Sequence, residues 1–255
     1  MLKIDLNCDM GESFGRYRIG MDDEVIKLIT SANIACGYHA GDPGVMHHTV
    51  KIAIEHGVRI GAHPGFPDLL GFGRRKLYAS PQEITEMIIY QIGALKAFAE
   101  SEGVSLQHVK PHGALYNMAA SDEKIAMAVA EGVFAVDKNL ILFGLTGSQL
   151  IKAGEKMGLR VANEVFADRA VNDDGTLAAR DLPGAVIKDA QQAADRVINM
   201  IINGYVKSIQ GNRVEVKADT ICVHGDSPRA LEFVKLIRKR LVEEGIKLLP
   251  VDKFI

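Results

Sequence analysis

Short apolar runs alternate with longer amphipathic stretches from one end of this chain to the other. The runs LKIDLNC, NIACGY, VRIGAH, LQHVKP, LILFGL, RVANEVF and TICVHG are each about six residues long, the usual length of a strand. Their near-continuous apolar character fits strands covered on both faces, as in a parallel sheet flanked by helices. Five amphipathic stretches end in a glycine followed by an apolar start, at Gly57, Gly103, Gly158, Gly204 and Gly245. A glycine just past a helix takes the left-handed conformation that closes the last turn. Helix starts are equally legible. Asp42 precedes Pro43, Ser227 precedes Pro228, and Ser80-Pro81-Gln82-Glu83 is a capping box with proline at the first helical position. Asp22, Ser121 and Pro183 mark three further starts.

The pattern predicts an α/β fold of seven strand–helix units, a (β/α)7-type barrel, with IKLLPV as a short eighth strand. An open doubly wound sheet is the alternative. Residues 205–218, YVKSIQGNRVEVKA, interrupt the rhythm with two β-rich runs around Gly211-Asn212, a small hairpin excursion. No Pro/Ser-rich linker or low-complexity segment divides the chain, so residues 1–255 are expected to form one domain.

Composition narrows the function classes. The chain has 255 residues, 47% hydrophobic and 24% charged, with a net charge of −2. No basic stripe or tail is present, so neither nucleic acid nor a membrane surface is an expected partner. The opening MLKIDLNCDMGE turns acidic at once and lacks a signal-peptide core. No apolar run approaches the ~20 residues of a membrane helix. Cys8, Cys36 and Cys222 are odd in number and widely spaced, which fits a reducing, cytoplasmic setting.

In parallel α/β folds, sites form where the strands end. Strand one supplies Asp5, Asn7 and Asp9 on one face, then Glu12. Strand two leads to His39 and Asp42, and strand three to His63. Strand four ends in VKPHGALYN, where Lys110 and His112 are two apart and so share a face, while Pro111 sits where ladder bonding stops. Strand six gives Glu164, Asp168 and Arg169, and strand seven His224 and Asp226. Four of the eight histidines thus stand at four different strand ends. Asn7, His39, His63, Lys110, His112, Glu164, His224 and Asp226 form the candidate catalytic set. Glu12, Arg74, Arg75, Asp168 and Arg169 are the candidates for holding substrate or phosphate. Asn7, His39, His63, His112, His224 and Asp226 are expected to face one cavity.

Other residues have sufficient structural uses. Asp42 serves as a cap, His47, His48 and His56 lie in or at the end of a helix, His108 falls mid-strand, and Cys36 reads as a small buried thiol. The long glycine-rich loop PGFPDLLGFGRRKLYASP carries Arg74, Arg75 and Lys76 and is placed to cover a barrel mouth. Neither GxxxxGK[ST] nor GxGxxG occurs. Asp9, His63 and His112 are a possible two-histidine, one-carboxylate metal set, without local HxH, HExxH or CxxC spacing to support it.

The blocks DLNCDMGESFG, SANIACGYHAGDP, GAHPGFPDLLGFGRR, VKPHGALYN, EVFADR and TICVHGD together resemble the LamB/YcsF family, which supplies one of the subunits of bacterial ATP-dependent 5-oxoprolinase. The resemblance runs from residue 5 to about residue 230; Val171 stands where a tyrosine often follows FADR. It implies the seven-stranded β/α barrel shared with polysaccharide deacetylases. It further implies hydrolysis of the lactam 5-oxo-L-proline to L-glutamate, driven by ATP with magnesium as its counter-ion, together with two other subunits. Histidine suits proton transfer near neutral pH, and Lys110 or an arginine suits charge developing on the lactam oxygen. Asp226 or Glu164 suits the activation of water or the orientation of a histidine. The rival expectations are a metal-dependent carbohydrate deacetylase-like hydrolase, or a non-catalytic subunit that binds substrate or partners.

Overall fold

The computed structural model describes residues 1–224 and 228–255. Ten strands and eight helices appear among them. The strands are β1 (Lys3–Met10), β2 (Ser31–Ala35), β3 (Arg59–His63), β4 (His108–Val109), β5 (Ile141–Leu145), β6 (Arg160–Phe166), β7 (Tyr205–Lys207), β8 (Arg213–Glu215), β9 (Thr220–Val223) and β10 (Lys247–Leu248). The helices are α1 (Asp22–Val25), α2 (Pro43–Glu55), α3 (Pro81–Ser101), α4 (Gly113–Ser121), α5 (Glu123–Val136), α6 (Gln149–Lys156), α7 (Ala190–Asn203) and α8 (Pro228–Glu243). None of these helices is long and apolar enough to cross a membrane.

Strands β1 to β6 and β9 pair in parallel, in that order, and β9 pairs back onto β1. The sheet therefore closes: this is a (β/α)7 barrel, and the open-sheet alternative falls away. β10 adds outside the ring, parallel to the start of β1 through Lys3 and Ile4. β7 and β8 form the antiparallel hairpin read from the sequence.

The local signals held where the backbone had to obey them. Gly57, Gly103, Gly158, Gly204 and Gly245 all have positive φ. Asp42 accepts from the amides of Gly44 and Val45, and Ser80 and Glu83 complete their capping box. Three expectations need correction. Ser121 is the last residue of α4, and Asp122 is the cap of α5, accepting from Lys124 and Ile125. Pro183 starts no helix; α7 begins at Ala190 under an Asp189 cap. Residues after Pro183 are instead tied to the β6 extension, where the Ile187 amide donates to the Asp168 carbonyl. The hairpin turn spans Ser208 to Asn212 rather than two residues, closed by the Gly211 amide on the Ser208 carbonyl. The Ser227 cap lies outside the described residues.

Alternation along the strands gives the barrel two unlike surfaces. Ile4, Leu6, Cys8, Met10, Ile34, Ile60, Val109, Leu142 and Ile221 pack outward against helix residues such as Val50, Ile88, Val133 and Val197 in the main apolar core. The inward residues are mostly polar. At the bottom, Ile141, Phe143, Ala162 and Val251 form an apolar plug, with Phe254 and Ile255 packed on it.

Above the plug lies a hydrogen-bonded floor. Asp5 accepts from the hydroxyls of Thr30 (2.6 Å), Ser31 (2.7 Å) and Thr220 (2.5 Å). His108 lies flat on Phe143, its Nε2 2.7 Å from Asn33 Oδ1. Gly61 is required opposite, because a Cβ there would run into the His108 ring.

Candidate active site

β4 is only two residues long, but its direction continues. The Lys110 amide donates to the Ala62 carbonyl and the His112 amide to the Pro64 carbonyl. Pro111, with no N–H, occupies the position between them. Lys110 and His112 consequently both line the cavity at the carboxyl end of the barrel, which has a volume of about 970 Å³. His63, Asp9, Glu12, Arg74, Arg169 and His224 also line it.

Lys110 is the electrostatic centre. Its Nζ lies 2.9 Å from Asp9 Oδ1, 2.8 Å from Glu164 Oε1, 3.2 Å from Asn7 Oδ1 and 3.1 Å from Cys222 Sγ. Burial works against the charged amine, but the carboxylates of Asp9 and Glu164 outweigh it and hold the pKa well above the ordinary lysine value. Asp9 is likewise penalised by burial, yet His63 and Lys110 beside it keep it well below the usual carboxylate range. The centre is an ion pair built into the mouth.

Asn7 and Glu164 stand beneath it and do not reach the cavity. Asn7 donates to Glu164 Oε1 (3.0 Å) and Thr220 (2.7 Å) and accepts from Asn33 (2.7 Å). Glu164 accepts from Tyr116 through Oε2 (2.6 Å). With their polar atoms so engaged, both are positioning residues. That corrects the expectation that Glu164 activates water.

On one side of Lys110 lie three histidines. His63 and His112 approach to 2.9 Å through Nε2 and Nδ1, and His39 stacks on His112 at 3.7 Å between ring centroids. His39 is fully buried and lies behind the cavity lining, which corrects the expectation that it faces the cavity, and neither of its ring nitrogens has a hydrogen-bond partner. Burial and the neighbouring His63 push it well below the ordinary imidazole value, and burial with His39 and His63 does the same to His112.

The loop after β3 locks this group in place. Gly73, at φ +64°, leaves no room for a side chain: a Cβ would lie 2.8 Å from both His112 Cδ2 and His39 Cβ. Its neighbour Phe72 is the one non-glycine residue with positive φ (55°) among the described residues, and its carbonyl accepts from His112 Nε2 at 2.8 Å. Strain at that residue aims an acceptor at a site histidine.

On the other side, His224 Nδ1 bonds Asp168 Oδ2 at 2.8 Å. Burial disfavours the imidazolium, but the Asp168 carboxylate outweighs it and raises the His224 pKa. Asp168 is therefore the partner of His224, and it does not line the main cavity.

The expected binding residues divide in the same way. Glu12 sits among the histidines, 3.6 Å from His112 Nδ1 and 3.7 Å from His39 Nε2, a poor place for phosphate. Arg75 bonds Asp68 through Nε at 2.8 Å and is largely exposed, outside the cavity lining. Arg74 lies over the Phe72 ring and, with Arg169, lines the mouth. Arg169 donates to the Ala178 carbonyl at 2.6 Å, while its buried Nε has no partner. Asp226 lies outside the described residues.

Tyr116 and Arg180 also line the mouth, and Cys222 is buried behind it against Lys110; sequence reasoning missed all three. Strand alternation could have found Cys222, two residues before His224, and helical spacing after His112 could have found Tyr116. Nothing in the pattern marks Arg180.

The sequence and structure have close counterparts. A 5-oxoprolinase subunit of Pyrococcus abyssi is 59% identical over 254 residues, covering 100% of both chains. Its namesake in Bacillus subtilis is 56% identical over 253 residues, covering 99% of this chain and 98% of its own. The crystal structure of a lactam utilization protein from Thermus thermophilus superposes with a TM-score of 0.92 at 46% identity, over 97% of this chain and 99% of that one. The LamB/YcsF family model matches residues 4–255. From the first barrel strand to the C-terminal plug, this chain belongs to the LamB/YcsF family.

Proposed function

We propose that this chain is the barrel subunit of an ATP-dependent 5-oxoprolinase, hydrolysing 5-oxo-L-proline to L-glutamate in a complex with two other subunits. The observation that carries the reading is the 59% identity, over the whole chain, to a protein named as a 5-oxoprolinase subunit. The cavity chemistry agrees with it.

A five-membered lactam is a resonance-stabilised amide. Its hydrolysis needs charge stabilisation at oxygen, a base for water, and a proton for the departing nitrogen. Lys110, at the cavity wall, turns one N–H from its pair with Asp9 and Glu164 toward the lactam oxygen, where low dielectric strengthens the bond. His224, held through Nδ1 by Asp168, presents Nε2 as the base, by the same logic as the histidine–aspartate pair of serine hydrolases. It takes a proton from water as oxygen bonds to the lactam carbon. It returns that proton to nitrogen as the C–N bond breaks. Arg74, Lys76, Arg169 and Arg180 at the mouth suit the substrate carboxylate and phosphate oxygens. ATP, with magnesium, supplies activation of the lactam oxygen. The sequence contains no GxxxxGK[ST] motif, which supports completion of the reaction by partner subunits.

The experiment is glutamate release by the purified chain, with and without both partners, ATP and magnesium. The chain alone should show no useful turnover, and the three subunits should show ATP-dependent turnover. Robust ATP-dependent activity of the isolated chain would reject the need for partners, and equal activity without ATP would reject the coupling.

A further inference from the structure

The histidine side of the mouth is left unused by that chemistry, and its hydrogen bonding does not close. His63 Nδ1 lies 2.7 Å from the Lys110 carbonyl oxygen, and His112 Nε2 lies 2.8 Å from that of Phe72. A carbonyl oxygen only accepts, so both of those nitrogens carry hydrogen. The other nitrogen of each neutral ring is then a bare lone pair. Those two lone pairs, on His63 Nε2 and His112 Nδ1, face each other at 2.9 Å. The contact is repulsive unless a positive centre sits with them.

A proton on His63 Nε2 would bridge to His112 Nδ1 and face Asp9 Oδ2 at 3.3 Å, but it would leave His39 and Glu12 as they are. His39 would remain fully buried with both ring nitrogens unpartnered. Glu12 would remain a carboxylate turned toward His39 and His112 without a donor between them. A metal ion gives all four a common partner once the His39 ring tilts out of its parallel stack on His112. One ligand atom from each of Glu12, His39, His63 and His112 falls within 4.8 Å of the others. The carbonyls on the far nitrogens of His63 and His112 are the outer support that ligating histidines ordinarily have. Glu12, His63 and His112 line the cavity, so an ion has a way in.

We propose that Glu12, His39, His63 and His112 bind one divalent transition-metal ion of the zinc class. Three imidazoles and one carboxylate favour such an ion over magnesium or calcium, which prefer all-oxygen sites. This differs from the set read in the sequence: Glu12 takes the place of Asp9, and His39 joins. Asp9 groups instead with Cys222 and His224, and that second group already holds a cation. Lys110 Nζ is 2.9 Å from Asp9 and 3.1 Å from Cys222.

The inference does not rest on the lactam reading, because its test uses neither substrate nor ATP. The full chain is stripped with a chelator and titrated with Zn²⁺ or Co²⁺, followed by equilibrium dialysis with metal analysis and by visible absorption of the cobalt form. One ion per chain is expected, with ligand-field bands and no thiolate charge-transfer band. Glu12→Gln and His63→Ala should each weaken binding by more than the roughly 10–100-fold that loss of an outer-shell partner costs. Cys222→Ser should bind like the unaltered protein. If His63→Ala does not fold, Glu12→Gln carries the test, since it keeps the side chain's shape. No retained ion in the unaltered chain would overturn the proposal. So would undiminished binding by Glu12→Gln, or loss of the ion in Cys222→Ser.

Discussion

His108 and His112 stand four residues apart, both buried, in two layers of the same barrel interior. In the floor, His108 Nε2 donates to Asn33, and its Nδ1 lies 2.9 Å from the Gln107 amide oxygen. A side-chain amide can present either end. Turned over, Gln107 offers its NH₂ to His108 Nδ1 and to the Ser31 hydroxyl, giving up its bond to the half-buried Asp252 carboxylate. In the mouth, His112 and His63 are pinned by backbone carbonyls, which cannot turn, and their remaining lone pairs collide. The lesson is about what pins a group. A buried histidine beside adjustable partners becomes structure, whereas one beside fixed acceptors stays unsatisfied and available to a ligand.

The comparison predicts that changes in the mouth cost activity and changes in the floor cost stability. The largest effect belongs to His224. His224→Ala should lower turnover of the reconstituted complex by ~10²–10⁴-fold, while the melting temperature stays near that of the unaltered chain. Asp168 raises the His224 pKa, and the base works when neutral, so activity falls as pH drops through that pKa. Asp168→Asn should move the acid limb of kcat/KM to lower pH while reducing the plateau. An unmoved limb would take the base role away from His224.

In the floor, burial, opposed by hydroxyl hydrogen bonds and reinforced by Glu164, pushes Asp5 up to about 6. The folded state thus binds more protons than the unfolded chain between the ordinary carboxylate value and about 6. Its stability falls as pH rises through that window, by about 3 kcal/mol in total. Urea unfolding from pH 4 to 7 should show that slope, and Asp5→Asn should flatten it. A slope unchanged in the variant would mean that Asp5 does not titrate in the floor.

The smallest expected effect on the mouth is that of Gly61→Ala. Its methyl group would overlap the buried His108 ring, an overpacking cost of about 3 kcal/mol or more. Unfolding should register it, and metal binding by the histidine cluster should not change. A variant that folds normally but loses the ion would break the separation between floor and mouth.

Much of this is legible along the chain. The seven strand–helix units, the capping box at Ser80 and the left-handed glycines follow from local rules, because periodicity and φ preferences act within a few residues. Placing His63, Lys110, His112 and His224 at one cavity is also within reach, since strand ends of a parallel barrel share a rim. The failures have a common cause. Sequence proximity groups Arg75 with Arg74, and only the Asp68 contact separates the two neighbours. Glu12 reads as a phosphate contact, and only chain folding brings it to the histidines. Pro183 carries a helix-start signal that the Ile187–Asp168 backbone bond overrides.

The sequence by itself determined which residues could reach the rim, since alternation and turn chemistry are set by neighbours along the chain. Barrel closure, the pairing of His224 with Asp168 and the opposed lone pairs of His63 and His112 were decided only in three dimensions. Each depends on groups far apart in sequence meeting with fixed donor and acceptor directions, and no local pattern encodes the direction of a hydrogen bond.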